Sequence, residues 1–123
     1  MEIIATCNAP SAIGPYSQAV AIENLIFTSG QIALLPDGTF LEGDVSAQAV
    51  QVLKNLQAVL EEAGSSLSRV VKTTIFLTNM EDFQSVNTIY AEAFKEHKPA
   101  RSTVAVKSLP RNALVEIEAI ALR

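Results

Sequence analysis

From Asp44 to Ala63 the apolar residues Val45, Ala49, Val52, Leu53, Leu56, Val59, Leu60 and Ala63 recur at three- and four-residue steps, the period of a helix with one apolar face. Asp44 or Ser46 is placed to cap its start, and Gly64 to close its end in a left-handed turn. A second helical stripe over about 81–96 carries Phe83, Val86, Ile89, Tyr90, Ala93 and Phe94. Asn87 falls on that stripe, and a buried amide there must be hydrogen-bonded, either to backbone or to a group in a site. The other apolar runs have strand character. Residues 16–22 and 24–30 predict a hairpin turned at Glu23-Asn24, and 69–78, 101–107 and 114–122 predict three further strands. Gly14-Pro15 and Pro36-Asp37-Gly38-Thr39 are turn sequences, and the stretch on to Gly43 reads as loop. The strand–helix–strand order around the first helix predicts a parallel pair joined by a right-handed crossover.

Alternation along the last two strands puts charge among apolar residues. Arg101 and Thr103 share a face opposite Ser102, Val104 and Val106, while Glu116 and Glu118 share a face opposite Val115, Ile117, Ala119 and Ala121. If the helices cover the apolar faces, Arg101, Thr103, Glu116 and Glu118 are left uncovered beside Leu114, Ile120 and Leu122. Such a mixed face suits an oligomer interface with an embedded site. Arg grips a carboxylate through two parallel hydrogen bonds, and Glu holds or activates a water, so the pair predicts a site for a small anionic substrate. A structural Arg–Glu ion pair, or two exposed strand faces, would give the same pattern.

A chain of 123 residues predicts one domain, 1–123, with a core that needs no disulfide or metal staple. Apolar residues make up 49% and charged residues 18%, rather apolar for a surface that must be wetted everywhere, which again favours association. A net charge of -4 with scattered basic residues opposes nucleic-acid binding. The lone cysteine, Cys7, the absence of a long apolar run and the lack of a leader pattern at the N-terminus predict a cytoplasmic protein without membrane contact. Cys7 itself reads as a packed N-terminal side chain.

Elimination then narrows the chemistry. With His97 and Cys7 the only residues of their kinds, a zinc or iron site within one chain is not expected. His97 lies in the charged segment Phe94-Lys95-Glu96-His97-Lys98 and reads as a solvated residue favoured by a helix C-terminus, not as a catalytic base. No phosphate-cradling glycine spacing occurs. Lys72 and Lys107 could supply a Schiff-base amine or simply lie at a wet strand edge. The polar set that remains is Tyr16, Ser29, Asn87, Arg101, Thr103, Glu116 and Glu118.

Five segments, in order, resemble the RidA family, also called YjgF/YER057c/UK114. They are Ala12-Ile13-Gly14-Pro15-Tyr16-Ser17-Gln18-Ala19, Thr28-Ser29-Gly30-Gln31-Ile32, Val86-Asn87 with Tyr90, Pro99-Ala100-Arg101-Ser102, and Val115-Glu116-Ile117-Glu118-Ala119-Ile120. The resemblance implies an α+β, chorismate-mutase-like fold: a mixed β-sheet backed by two α-helices, three copies forming a homotrimer around a central barrel, with active sites between subunits. It implies hydrolytic deamination of 2-imino and 2-enamino acids to 2-keto acids and ammonia, without a cofactor. By position, Arg101 would bind the substrate carboxylate and Glu116 orient or activate water. Tyr16 would assist proton transfer and line the pocket with Ser29 and Gly30, and Asn87 would support them. Thr103 stands where many members have Cys, which leaves the backbone carbonyl but removes any thiol chemistry. Alternatives are a non-catalytic module that binds a small carboxylate, and a ribonuclease or translation inhibitor.

Overall fold

The computed structural model describes all residues, 1–123. The chain forms β1 (Glu2–Ile4), β2 (Ala19–Ile22), β3 (Leu25–Thr28), α1 (Val45–Glu62), β4 (Val70–Leu77), α2 (Phe83–Phe94), β5 (Ala100–Ala105) and β6 (Val115–Leu122), with short 3₁₀ turns before β4, α2 and β6. It is an α+β fold with one mixed sheet in the order β1-β2-β3-β6-β4-β5.

α1 begins and ends where its sequence dictates, whereas α2, expected over about 81–96, spans Phe83–Phe94 with no side-chain cap from Asp82 and with Lys95 closing it at φ 57°. Of the two capping candidates for α1, Asp44 does the work: its Oδ1 accepts from the Ala47 amide at 2.8 Å. Gly64, at φ 84°, lets its own amide reach Glu61 O and the Ser65 amide reach Leu60 O, satisfying carbonyls the helix leaves free. All eight residues of the predicted α1 stripe are buried, as are Val86, Tyr90 and Phe94 of α2. Both helices lie on one side of the sheet, against Ile26, Val70, Ile75, Leu77, Val115, Ile117, Ala119 and Ala121.

Topology departs from expectation at the centre. The strands flanking α1, β3 and β4, are not neighbours, because β6 inserts between them and pairs antiparallel with both. The adjacent parallel pair is β4–β5, joined through α2. The predicted first hairpin is shorter than its sequence pattern: Ile22 pairs with Leu25 across Glu23-Asn24, but residues 16–18 and 29–30 lie outside the ladder. β1, paired with β2, has no signal in a terminal segment this short. The stretch after Gly30 is not plain loop, since Gln31 bridges to Ile117 and Leu34 to Phe40.

The sheet face away from the helices carries exposed apolar side chains on both edge strands and between them. Ile3, Ile22, Phe27, Val104 and Leu122 are among its exposed large side chains. No helix is long and apolar enough to cross a membrane.

Candidate active site

Glu116 is positioned by an irregularity in β3. Phe27 pairs with Ile120, but the next pair is Gln31 with Ile117, so four steps along one chain oppose three along the other. That one-residue bulge lifts Ser29 and Gly30 out of the ladder. Thr28 Oγ1 accepts from the Ala119 amide at 2.9 Å, and Gln31 and Ile117 exchange backbone bonds of 2.9 and 3.1 Å, fixing both sides of the bulge. Gly30 then lies against the Glu116 side chain: a methyl group there would meet Glu116 Cδ at 2.8 Å and Oε1 at 3.0 Å. A side chain at position 30 would therefore displace the Glu116 carboxyl from where it sits.

The Glu116 carboxyl has no hydrogen-bond donor or cation of its own chain beside it; the single ion pair in the molecule joins Arg123 to Glu2 at 2.8 Å. Burial first, and the neighbouring Glu118 second, push its pKa above the ordinary 4.5. It faces a cavity of about 580 Å³ walled by Tyr16, Ser29, Gly30, Glu118, Pro110 and the 10–13 loop. The Ser29 hydroxyl donates to Ser17 O at 2.6 Å, which keeps a lone pair free for a ligand. Tyr16 is exposed, its ring beside Gly14.

Arg101 occupies a different cavity, of about 400 Å³, with Asn87, Tyr90, Phe94, His97 and Pro99 among its walls. Its Nη1 donates to Asn87 Oδ1 at 2.7 Å. Its guanidinium carbon sits 4.9 Å from the centre of the Tyr90 ring and 5.6 Å from that of Phe83. The Tyr90 hydroxyl is in turn 2.6 Å from Thr73 Oγ1, and burial raises its phenol pKa. The guanidinium is therefore held over the Tyr90 ring by its Asn87 bond while no carboxylate of its own chain pairs with it. A structural ion pair between Arg101 and Glu116 or Glu118, one of the readings the sequence allowed, does not form.

The four polar strand residues do not share a face. Arg101 pairs with Thr73, and Thr73 with Ala119, so Arg101 and Thr103 belong to the helix-covered side. Glu116 pairs with Phe76, and Phe76 with Val104, so Glu116 and Glu118 point to the open side with Val104 and Ser102. One chain thus brings Asn87 to Arg101, and Tyr16, Ser29, Gly30 and Glu118 to Glu116, but not the two groups to each other. Thr103 Oγ1 is buried without a hydrogen-bond partner.

Three smaller expectations are also corrected or settled. His97 is half-buried rather than solvated, its Nε2 2.6 Å from Val70 O and its ring tilted against Phe94. Cys7 is exposed, not packed. The Lys72 ammonium donates to Ser102 Oγ at 3.1 Å on the open face. Sequence reading missed Gln18, whose buried amide donates to Thr6 O and Pro10 O at 3.0 and 2.8 Å and accepts from the Thr6 amide at 2.7 Å. That clamp fixes the loop facing Glu116. Its signal was an amide amid apolar residues just before β2.

Comparison with known proteins places these features in a family. The family model described as Endoribonuclease L-PSP matches residues 6–123. The 2-iminobutanoate/2-iminopropanoate deaminase of Escherichia coli K12 is 50% identical over 99% of this chain and 98% of its own length. The human protein of the same name is 45% identical over 99% of this chain and 90% of its own. Among solved structures, that of E. coli TdcF with bound serine superposes with a TM-score of 0.96 at 43% identity, covering 100% of this chain and 99% of the other.

Proposed function

The chain belongs to the endoribonuclease L-PSP (RidA) family, and from that premise we propose that it hydrolyses reactive 2-imino acids and their enamine tautomers, such as 2-iminobutanoate and 2-iminopropanoate, to 2-keto acids and ammonia. The observation that carries this reading is Arg101: a guanidinium oriented by Asn87 and Tyr90 with no carboxylate of its own. It is a seat for a ligand carboxylate, the group common to every 2-imino acid and to the serine bound by TdcF.

The reaction asks little more of the protein. A water adds its oxygen to the imine carbon as the nitrogen takes up a proton, and the resulting carbinolamine expels ammonia to leave the ketone. Glu116, in the second cavity, takes the proton from water and returns it to nitrogen; a carboxyl with a raised pKa exchanges protons more readily near neutrality than an ordinary one. Tyr16 stands across that cavity, where its hydroxyl can protonate an enamine carbon. Ser29 and Gly30 shape the wall, and Thr103 lies on the Arg101 strand.

Arg101 and Glu116 act on one substrate when copies of the chain associate, here as a homotrimer, so that the Arg101 cavity of one faces the Glu116 cavity of the next. The apolar open face supplies the surface for that contact. A ribonuclease, as the family description names it, would need a basic groove, whereas acidic residues outnumber basic ones, 13 to 9.

The test couples a threonine dehydratase or an amino-acid oxidase to the purified protein and follows the imine by semicarbazide trapping. Faster keto-acid release with wild type, and loss of about a hundredfold in kcat/KM with Arg101→Ala, is the expected result. No acceleration with any imine, together with retained keto-acid binding, would replace the enzyme with a carboxylate-binding module.

A further inference from the structure

α1 packs its apolar stripe on the sheet, yet three amides interrupt that stripe: Gln48, Gln51 and Asn55 are 3%, 9% and 1% exposed. A helix needs none of them to bury its face, and apolar side chains there would fold with fewer partners to satisfy. Asn55 reaches the connection that lines the Glu116 cavity, Gln51 bonds to Asn55, and Gln48 holds the backbone just ahead of α1 and of β6. Asn55 Nδ2 donates to Ile32 O at 3.2 Å and to Leu34 O at 2.8 Å, and its Oδ1 accepts from Gln51 Nε2 at 2.9 Å. Gln48 accepts from the Leu114 amide at 2.9 Å and donates to Gly43 O at 3.2 Å. Every polar atom of Asn55 is used, and Gln51 fixes which way its amide points.

The two residues held by Asn55 help shape the cavity. Ile32 and Leu34 line it, and they follow directly on Gly30 and Gln31, the bulge that lies against the Glu116 carboxyl. Leu114 leads into β6 two residues before Glu116. With less than 3 Å between a Gly30 methyl position and Glu116 Cδ, sub-ångström movement of this loop changes how the carboxyl is enclosed.

We propose that the buried pair Gln51–Asn55 on α1 is a positioning device for the Glu116 cavity, holding the 30–34 segment against the carboxyl from behind. Neither amide touches substrate. The assignment of Glu116 to proton transfer rests on the deaminase reading; the positioning itself does not. The charged and titratable groups around Glu116 are Glu118 on its own strand, Tyr16 across the cavity and Lys72 on the same sheet face. The 110–112 turn presents Pro110, with Arg111 directed onto the Phe40 ring.

The experiment compares Asn55→Leu and Gln51→Met with Val52→Ala, a buried core truncation on the same helix that removes no hydrogen bond. Two readouts are taken: the ¹³C titration of the Glu116 carboxyl without substrate, and kcat against pH. Both amide variants are expected to lower kcat about tenfold with KM changed less than about twofold, and to move the Glu116 titration and the acid limb of kcat together towards lower pH as the carboxyl gains water. Val52→Ala should lower Tm and leave the titration where it was. Unchanged Glu116 titration in Gln51→Met, which removes no loop contact directly and so decides the matter even if Asn55→Leu does not fold, would overturn the proposal. A shift of equal size in Val52→Ala would overturn it too. A wild type inactive on every imine but with its titration moved by Gln51→Met would sink the deaminase reading and leave this one standing.

Discussion

A carboxylate kept half-buried without a partner is a liability to the fold, and Glu116 is such a group. Its pKa lies above the unfolded value of 4.5 because burial and Glu118 both disfavour the anion. The native chain therefore binds the proton more tightly than the unfolded chain, and stability falls as pH rises from about 4.5 through the raised folded value. Above that window the full penalty is present. Glu116→Gln carries no charge to desolvate, so at pH 7–8 it should melt higher than wild type, by on the order of 2 °C after solvent screening. The difference should vanish below about pH 4.5, where both states hold the proton, while turnover drops and keto-acid binding persists. Calorimetry across this pH range checks the first part, and a variant that melts lower at pH 8 would mean the carboxylate is stabilised in the native state after all. Arg101 differs in kind, because its guanidinium lies over the Tyr90 ring and donates to Asn87. Both residues could be found in the sequence because charge inside strand-like runs is conspicuous. Gln51 and Asn55 are harder to see, because amides on a helical stripe carry no charge to mark them, although the reasoning that singles out Asn87 applies to them equally.

Elements were legible in proportion to how local their determinants are. The two helices follow from three- and four-residue spacing plus caps, and α1 begins at Asp44 because its carboxylate replaces the missing partner of the Ala47 amide. Asp44→Ala should therefore cost about 1 kcal/mol, seen as a fall in Tm of about 3–5 °C, with kcat at 25 °C unchanged. A fall no larger than that of an exposed control such as Glu61→Ala would show that Ser46 takes over the cap. Strand facing was not local in this sense. Alternation says that Arg101 and Thr103 go together, but not which way they point; the register Arg101–Thr73–Ala119 decides that, across two neighbouring strands. The central place of β6 is likewise a long-range matter, since the last strand of the chain inserts between two that a βαβ reading would have paired. The bulge at Ser29-Gly30 truncates a strand pattern that looks continuous in sequence, and it does so at the point where the cavity needs room.

At the scale of the whole molecule, the separation of Arg101 from Glu116 changes what a mutant experiment can reveal. Had both lain on one face of one chain, inactivating either would inactivate that chain alone. On the proposed arrangement each site draws Arg101 from one copy and Glu116 from its neighbour. Arg101→Ala chains keep a sound Glu116 cavity, and Glu116→Gln chains keep a sound Arg101 seat. When the two inactive proteins are unfolded, mixed in equal amounts and refolded, a site is intact if its first donor is a Glu116→Gln chain and its second an Arg101→Ala chain. In a closed ring that has a chance of one half for each, so about a quarter of wild-type activity should return, whatever the number of copies. Each variant refolded alone should stay inactive. Recovery near a quarter ties the exposed apolar face, the unneutralised guanidinium and the enclosed carboxyl into one functional unit. No recovery from a mixture that associates normally would place the two residues in separate roles, with the reaction assigned to whichever cavity still binds the keto acid.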